Sequence, residues 1–496
     1  MTDSRAGGPQ LITYIDRLAG DLDGLQSVLR GPLDGVFDGV HLLPYYTPFD
    51  GTDAGFDPTD HTQVDPRLGS WEDVRALSGD HTVMSDVIVN HVSSRSAMFQ
   101  DVVEHGDGSR WSPMFLTLSS LFPDGATEAD LARIYRPRPG MPFTTMTLGG
   151  ERRLVWTTFT PDQVDLDLRS DVAWEYLESV IDALTSAGVT MLRLDAVGYT
   201  GKEAGTSCFM TEPAARYTQR ILELAHARGA SVLLEIHGHY LQQVEIAQSV
   251  DYVYDFALPP LVLHALHARD LRPLKAWFGV RPANAVTVLD THDGIGIVDV
   301  GANDLRPGDP GLLNPAQIDA LVESIHDASG GTSRAATGAA ASNLDLYQVN
   351  CTFYDALGRD DARYLLARLI QIMTPGIPQV YYVGLLAGAN DMELLEASGV
   401  GRDVNRHHYS ADEIRAAVER PVVAAQLDAL RLRREHGAFG GEFTSEFTDT
   451  TLSMRWNQGD QEVVLQADVG AGTFSLLASG REDEVVCDHT SVATSV

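Results

Sequence analysis

Lysine is almost missing from this chain of 496 residues: of its 36 basic residues, all but Lys202 and Lys275 are arginine. That leaves little room for the Schiff-base chemistry of a pyridoxal phosphate enzyme, and no cofactor is expected. Cysteine is as scarce. Cys208, Cys351 and Cys487 are odd in number and not at metal spacing, so neither a disulfide framework nor a zinc site is expected. No run reaches the roughly 18 apolar residues that a spanning helix needs. The most apolar stretch, 365–386, is broken by Pro375, Gly376, Pro378 and Gly384. Met1 to Gln10 lack the apolar core of a secretory signal. Positive charge as a whole is outweighed, with 36 basic against 69 acidic residues and a net charge of −33. Nucleic acid and anionic membrane are thereby disfavoured as partners, and a soluble, cytoplasmic protein is expected. An anionic ligand would be repelled at long range and would need a local group of arginines.

What is present is an alternation. Short β-branched runs (Leu11–Tyr14, Val36–Leu43, Thr82–Val89, Thr190–Leu194, Ser231–Leu234, Tyr252–Tyr254, Ala285–Leu289 and Pro378–Tyr382) are separated by stretches of helical spacing. Ala173–Ala187 and Ala214–Arg228 are two of these, with Gly188 and Gly229 placed to end them. Strands alternating with helices predict a parallel sheet, and eight of them predict a (β/α)8 barrel with chemistry at the carboxyl ends of the strands. Two intervals are too long for a single helical crossover and are rich in Gly, Pro and Ser; both read as insertions on the catalytic face. After about residue 437 short alternating runs predict a small all-β domain. The expected organisation is a barrel from 1–88, 171–294 and 358–437, insertions at 89–170 and 295–357, and a C-terminal β domain at 438–496.

Acids fall at the predicted strand ends: Asp86 with Asn90 and His91, Asp195, Glu235, and Asp293 with His292. Arg193 and Asp195, two apart on a strand, should face the same way, and a guanidinium beside a carboxylate favours its ionised form. Any one of these acids is more simply a strand cap. Several converging on one barrel mouth repel each other and need a compensating use, and a pair of carboxylates flanking a sugar is what glycosidic bond cleavage requires.

The stretches Asp86–His91, Leu192–Asp195, Leu234–His237 and Thr291–Asp293 resemble, in order, the four signature stretches of the α-amylase superfamily of retaining α-glucosyl enzymes. Within it, His41–Asp57, Asp195–Tyr199, Tyr254–Pro260, Leu289–Gly296, Ala341–Asn350 and Gly401–His407 resemble the sucrose phosphorylases. The resemblance implies conversion of sucrose and inorganic phosphate to glucose 1-phosphate and fructose by double displacement. Asp195 would be the nucleophile, Glu235 the acid and then the base, and Asp293 the transition-state stabiliser. Asp50, His91, His292 and Arg402 would grip glucose, Phe159 and Gln163 would flank it, and Arg193, Tyr199 and Gln348 would line the site. Arg138 would bind phosphate with His237 and Tyr347, and Asp345 would face fructose. Because a general acid needs a raised pKa, Glu235 is expected to be the less solvated of the catalytic pair. A homodimer is compatible with the resemblance, although no interface is legible. After His237 the chain has Gly238-His239 where sucrose phosphorylases carry bulkier pairs, so the acceptor is left open. A phosphorylase of glucosylglycerol, glucosylglycerate or sucrose 6′-phosphate, or a hydrolase or transglucosidase of the same superfamily, stands beside sucrose phosphorolysis. A non-catalytic interaction module is disfavoured by the presence of all three acids.

Three features are set aside. Gly294-Ile-Gly296 lacks the third glycine of a dinucleotide fingerprint. The acids at 50, 53, 57 and 60 do not follow the alternate spacing of a calcium loop. His264 and His267 have no third ligand at zinc spacing, so no metal is expected.

Overall fold

The eight β-branched runs are each too short to stand alone, and they find partners only in one another. In a computed structural model of the chain, which describes residues 7–137, 140–303, 306, 308–339, 348–480 and 485–492, they become β1 (Gln10–Thr13), β2 (Gly39–Leu42), β3 (Thr82–Ile88), β4 (Met191–Asp195), β5 (Ser231–Leu234), β6 (Tyr252–Asp255), β7 (Ala285–Thr287) and β8 (Ile377–Tyr381). All pair in parallel in the order β1-β8-β7-β6-β5-β4-β3-β2 and close into a barrel, with Gln10 set between Gly39 and Gln379. The floor of the barrel is polar but satisfied: Gln379 Nε2 donates to Gln10 Oε1 at 2.9 Å, and Tyr254 OH donates to Gln379 Oε1 at 3.2 Å.

Helix α1 (Asp171–Ser186) starts at Ser170, whose hydroxyl accepts from Val172 N, and buries Leu177, Val180, Ile181 and Leu184 against the barrel. Gly188 follows it at φ +88, where a Cβ would also strike Ser78, so glycine is required there. Helix α2 (Glu212–His226) leads into β5 in the same way. Past α3 (Pro421–Glu435) the chain forms five antiparallel strands, β9 (Glu442–Phe447), β10 (Thr451–Gln458), β11 (Gln461–Asp468), β12 (Thr473–Ala478) and β13 (Val485–Asp488). This sheet is fastened to the barrel by Trp456, whose indole donates to Met373 O at 2.8 Å. Arg433 lies against the faces of Phe439 and Trp456 at 4.5 and 4.8 Å.

Both long intervals lie at the carboxyl ends of the strands and are less irregular than their composition suggested. The segment after β3 contains a hairpin, Phe143–Leu148 with Glu151–Trp156, and a short strand, Gln163–Asp165, paired with His91–Ser93. The segment after β7 contains a helix over Pro315–Ala328, begun by Asn314 and Gln317 capping each other. That signal, Asn-Pro followed by Gln, was present in the sequence and was outweighed by the Gly- and Ala-rich flanks.

One of the two lysines ties the first of these segments to the barrel. Lys202 Nζ, with a side chain 2% exposed, meets Asp165 Oδ2 at 2.5 Å, Asn90 Oδ1 at 2.9 Å and Tyr199 O at 2.6 Å. It joins the hairpin segment, the end of β3 and the turn after β4. Lys202→Met keeps the length of the side chain but leaves a buried carboxylate without its cation, a loss of about 3–5 kcal/mol. The expected result, read by urea unfolding followed through tryptophan fluorescence, is a clearly lower midpoint; Lys275→Met, at an exposed position, should leave it in place.

Candidate active site

Parallel strands bring their last residues to one rim, and the acids meet there. Arg193 and Asp195 point together from β4. The Arg193 guanidinium lies 3.1 Å from Asp195 Oδ1 and 3.8 Å from Glu235 Oε1, and it also pairs with the fully buried Asp86 of β3. Burial alone would raise Asp86, but Arg193 and His41 pull it down to about 2. The backbone N–H of Ala196, a residue at φ +56, donates to Glu235 Oε2 at 3.2 Å. Burial pushes Asp195 well above the usual carboxylate range; Arg193 opposes this, and Glu235, Asp86 and Asp293 add to it. Glu235 is not the less solvated of the pair: its side chain is 15% exposed against 14% for Asp195, because both stand on adjacent strand ends at the floor of one cavity.

That cavity, of about 210 Å³, is lined by all three acids together with His91, Phe159, Gln163, Tyr199, His237, His292, Gln348 and Arg402. Asp293 faces Arg402 Nη1 at 2.7 Å, with Arg406 at 4.0 Å. Burial works against its charge, yet Arg402, His292, Arg406 and His237 hold it well below the carboxylate range. His292 is driven the other way, to about 3, chiefly by burial, and its ring stacks on Phe56 at 4.8 Å. Phe159 meets His91 and Tyr199 edge-on, at 5.4 and 5.0 Å. One buried acceptor, Gln163 Oε1, has no hydrogen-bond donor among the described residues. An unpaired buried acceptor in a cavity suits a ligand rich in hydroxyls.

Asp50 does not line this cavity. Its carboxylate is bound by both Arg67 nitrogens, at 2.6 and 2.7 Å, and its side chain is 52% exposed. The loop turns on Asp57, which accepts from Thr52 N at 2.8 Å and Asp53 N at 3.2 Å. The residues it presents to the cavity are therefore Asp53 and Phe56. Neither was singled out from the sequence, although both lie in the stretch His41–Asp57, and the Gly55 between them at φ +89 marks the sharp turn. Asp53 accepts from Gln163 Nε2 at 3.0 Å. Asp53→Ala is expected to raise KM for the sugar donor by roughly tenfold or more, whereas Asp50→Ala, which breaks an exposed ion pair, should leave KM within about twofold. Initial rates over a range of donor concentrations distinguish the two.

Arg138, Asp345 and Tyr347 lie outside the described residues. Arg136, in the same loop as Arg138, reaches Gly140 O at 3.3 Å on the surface. Glu235, His237 and Asp293 each place one atom within 4.8 Å of the others, as a metal site would. However, His237 is raised to about 9: burial opposes its charge, and Asp299, Glu235 and Asp293 overcome that opposition. The trio thus carries its own cation where a metal would sit.

Known proteins resemble this chain over most of its length. Residues 3–226 match the model of the α-amylase catalytic domain. The chain is 55% identical over 458 residues to a sucrose phosphorylase of Bifidobacterium adolescentis, covering 92% of this chain and 91% of that one. It is 54% identical to a sucrose phosphorylase of Agrobacterium vitis, covering 96% and 97%. Among solved structures, sucrose 6F-phosphate phosphorylase from Thermoanaerobacter thermosaccharolyticum superposes with a TM-score of 0.88 at 35% identity, over 98% of this chain and 99% of that one. Likeness of this extent means that the chain belongs to the α-amylase family.

Proposed function

We propose that this chain converts sucrose and phosphate to α-D-glucose 1-phosphate and fructose with retention at the anomeric carbon. The observation that carries the chemistry is one guanidinium, Arg193, shared by Asp195 and Glu235 at the floor of the cavity. A retaining enzyme needs one carboxyl as nucleophile and the other as acid and then base; we give the first role to Asp195, where Arg193 opposes the effect of burial from 3.1 Å, and the second to Glu235, 3.8 Å from the same guanidinium. In the first displacement an oxygen of Asp195 attacks C1 from the β face as the C1–O bond to fructose breaks, and the proton of Glu235 goes to the departing oxygen. In the second, hydrogen phosphate gives its proton to Glu235 and attacks C1 from the α face, freeing Asp195. Asp293, kept ionised by Arg402, accepts ring hydroxyls, while His91, His292, Phe159, Gln163 and Tyr199 enclose the ring.

The preference for sucrose is supported by likeness: 54–55% identity to two sucrose phosphorylases, against 35% to sucrose 6F-phosphate phosphorylase. We assign Arg138 and Tyr347 to phosphate and Asp345 to fructose, on the two insertions 89–170 and 295–357. We also place the protein in the cytoplasm, where the free, buried thiols of Cys208, Cys351 and Cys487 fit a reducing environment.

Incubation with sucrose, with and without phosphate, tests the reading. Glucose 1-phosphate and fructose should appear in equal amounts only when phosphate is present. Free glucose as the main product with phosphate present would make the enzyme a hydrolase. In the reverse direction, faster synthesis from glucose 1-phosphate with fructose 6-phosphate, glycerol or glycerate than with fructose would move it to another acceptor.

A further inference from the structure

Behind the acceptor side of the cavity lies a carboxylate with no part in the steps above. Asp299, in the short turn Val298–Val300 that begins the second insertion, is completely buried. Its Oδ1 accepts from Gly238 N at 3.1 Å and from Gln243 Nε2 at 2.8 Å. Its Oδ2 is turned to His237 Nδ1 at 3.4 Å, and among the described residues His237 is its one ion contact. With Oδ1 occupied by two donors, Oδ2 is left for a ring N–H. The ring lies flat on Phe256, centroids 4.1 Å apart and planes 14° from parallel, with Nε2 3.6 Å from Glu235 Oε1. Gly296 covers the pair closely: a Cβ there would stand 3.0 Å from Asp299 Oδ2 and 3.7 Å from His237 Nδ1.

We propose that Asp299 is a positioning residue for the second displacement: it keeps a proton on Nδ1 of His237, so that the ring meets the incoming phosphate dianion as a cation with its Nε2–H directed into the cavity. This rests on the phosphorolytic reading above. It gives that reading a fixed positive charge, in a protein of net charge −33, built from the barrel and the insertion together. The charged groups facing the ring are Asp299 at Nδ1, Glu235 at Nε2 and Asp293 across the cavity. The last two have cations of their own, Arg193 at 3.8 Å and Arg402 at 2.7 Å. Tyr254, stacked behind Phe256, is raised by burial and stays neutral. Asp299 is thus the acid near the ring without a cation other than the ring among the described residues. Burial alone would favour the neutral ring. The hydrogen bond and charge of Asp299, with Glu235 and Asp293, outweigh it and raise the imidazole to about 9, so the cation is still present at neutral and mildly alkaline pH, where phosphate is already a dianion, and is lost as the pH passes about 9.

Asp299→Asn tests this. Asn keeps the shape and an oxygen for Gly238 and Gln243, but it presents an N–H to Nδ1, which must then be an acceptor on a neutral ring. The expected result is a KM for phosphate raised roughly tenfold or more, with kcat at saturating phosphate little changed. The alkaline limb of kcat/KM for phosphate should move from near pH 9 towards the ordinary histidine value of about 6.5. In the background of His237→Gln, Asp299→Asn should add nothing further to the phosphate KM. An unmoved phosphate KM and alkaline limb, or effects of the two substitutions that add in full, would overturn the proposal. Should the variant not fold, NMR titration of the wild-type ring, assigned by the resonance that His237→Gln removes, decides the matter. A midpoint near 9 supports the proposal, and one at or below about 6.5 refutes it. The titration needs no phosphate, so it still tests the Asp299–His237 link if the wild type proves to be a hydrolase.

Discussion

Replacing Asp195 by Asn is expected to lower glucose 1-phosphate formation by roughly four to six orders of magnitude in a protein that remains folded. An amide of the same size keeps the packing but has no lone pair nucleophilic enough to open C1. Arg193 keeps Asp86 and Glu235 as partners, so no buried cation is stranded. Stereochemistry checks the role more sharply than the rate does. In Asp195→Ala, azide can occupy the space of the lost carboxylate and attack from the β face. α-Glucosyl fluoride should then give β-glucosyl azide, an inverted product. Wild-type-like turnover in either variant, or the α azide as the product, would remove Asp195 from the nucleophilic role.

The second large effect is expected at Glu235, and it should depend on the leaving group. With sucrose, whose alkoxide leaves badly, Glu235→Gln should cost roughly two to four orders of magnitude. With α-glucosyl fluoride, which departs without a proton, the first displacement should survive almost intact. In Glu235→Ala, azide needs no base and should attack the glucosyl-enzyme to give α-glucosyl azide, the anomer opposite to that from Asp195→Ala. Opposite anomers from the two variants are what a double displacement requires. Equal losses on both donors would instead mean that Glu235 orders the site and moves no proton. The geometry behind both experiments is a single cation: Arg193 reaches both carboxyls, so removing either one also alters the charge felt by the other. The two substitutions should therefore not be additive.

Most of the barrel was legible because its signal is local. A β-branched run of three to eight residues followed by an amphipathic stretch has few alternatives once it repeats eight times, and each such run became a strand of the closed sheet. The acids were legible for the same reason, since a parallel strand fixes where its last residue points. Asp86, Asp195, Glu235 and Asp293 could all be named from their positions in the runs. The loops were not. Asp50 and Asp53 differ by three positions in a segment without periodicity. The choice of which one enters the cavity is made by the side chain of Asp57, which gathers Thr52 and Asp53, and by Arg67, which draws Asp50 outward.

Asp299 shows the same limit from the other side. In the sequence it is one of 69 acids, 62 positions beyond His237, with nothing to mark it. What singles it out is burial beside an imidazole, and burial is a property of the whole fold. By itself, then, the order of residues determined which strands form, in what direction they run, and hence which acids share a rim, because strand pairing and side-chain alternation repeat every two residues. Only the tertiary structure decided how those acids are charged and which loop residues join them. Desolvation and Coulomb forces act through space, between groups that the chain brings together only after it has folded.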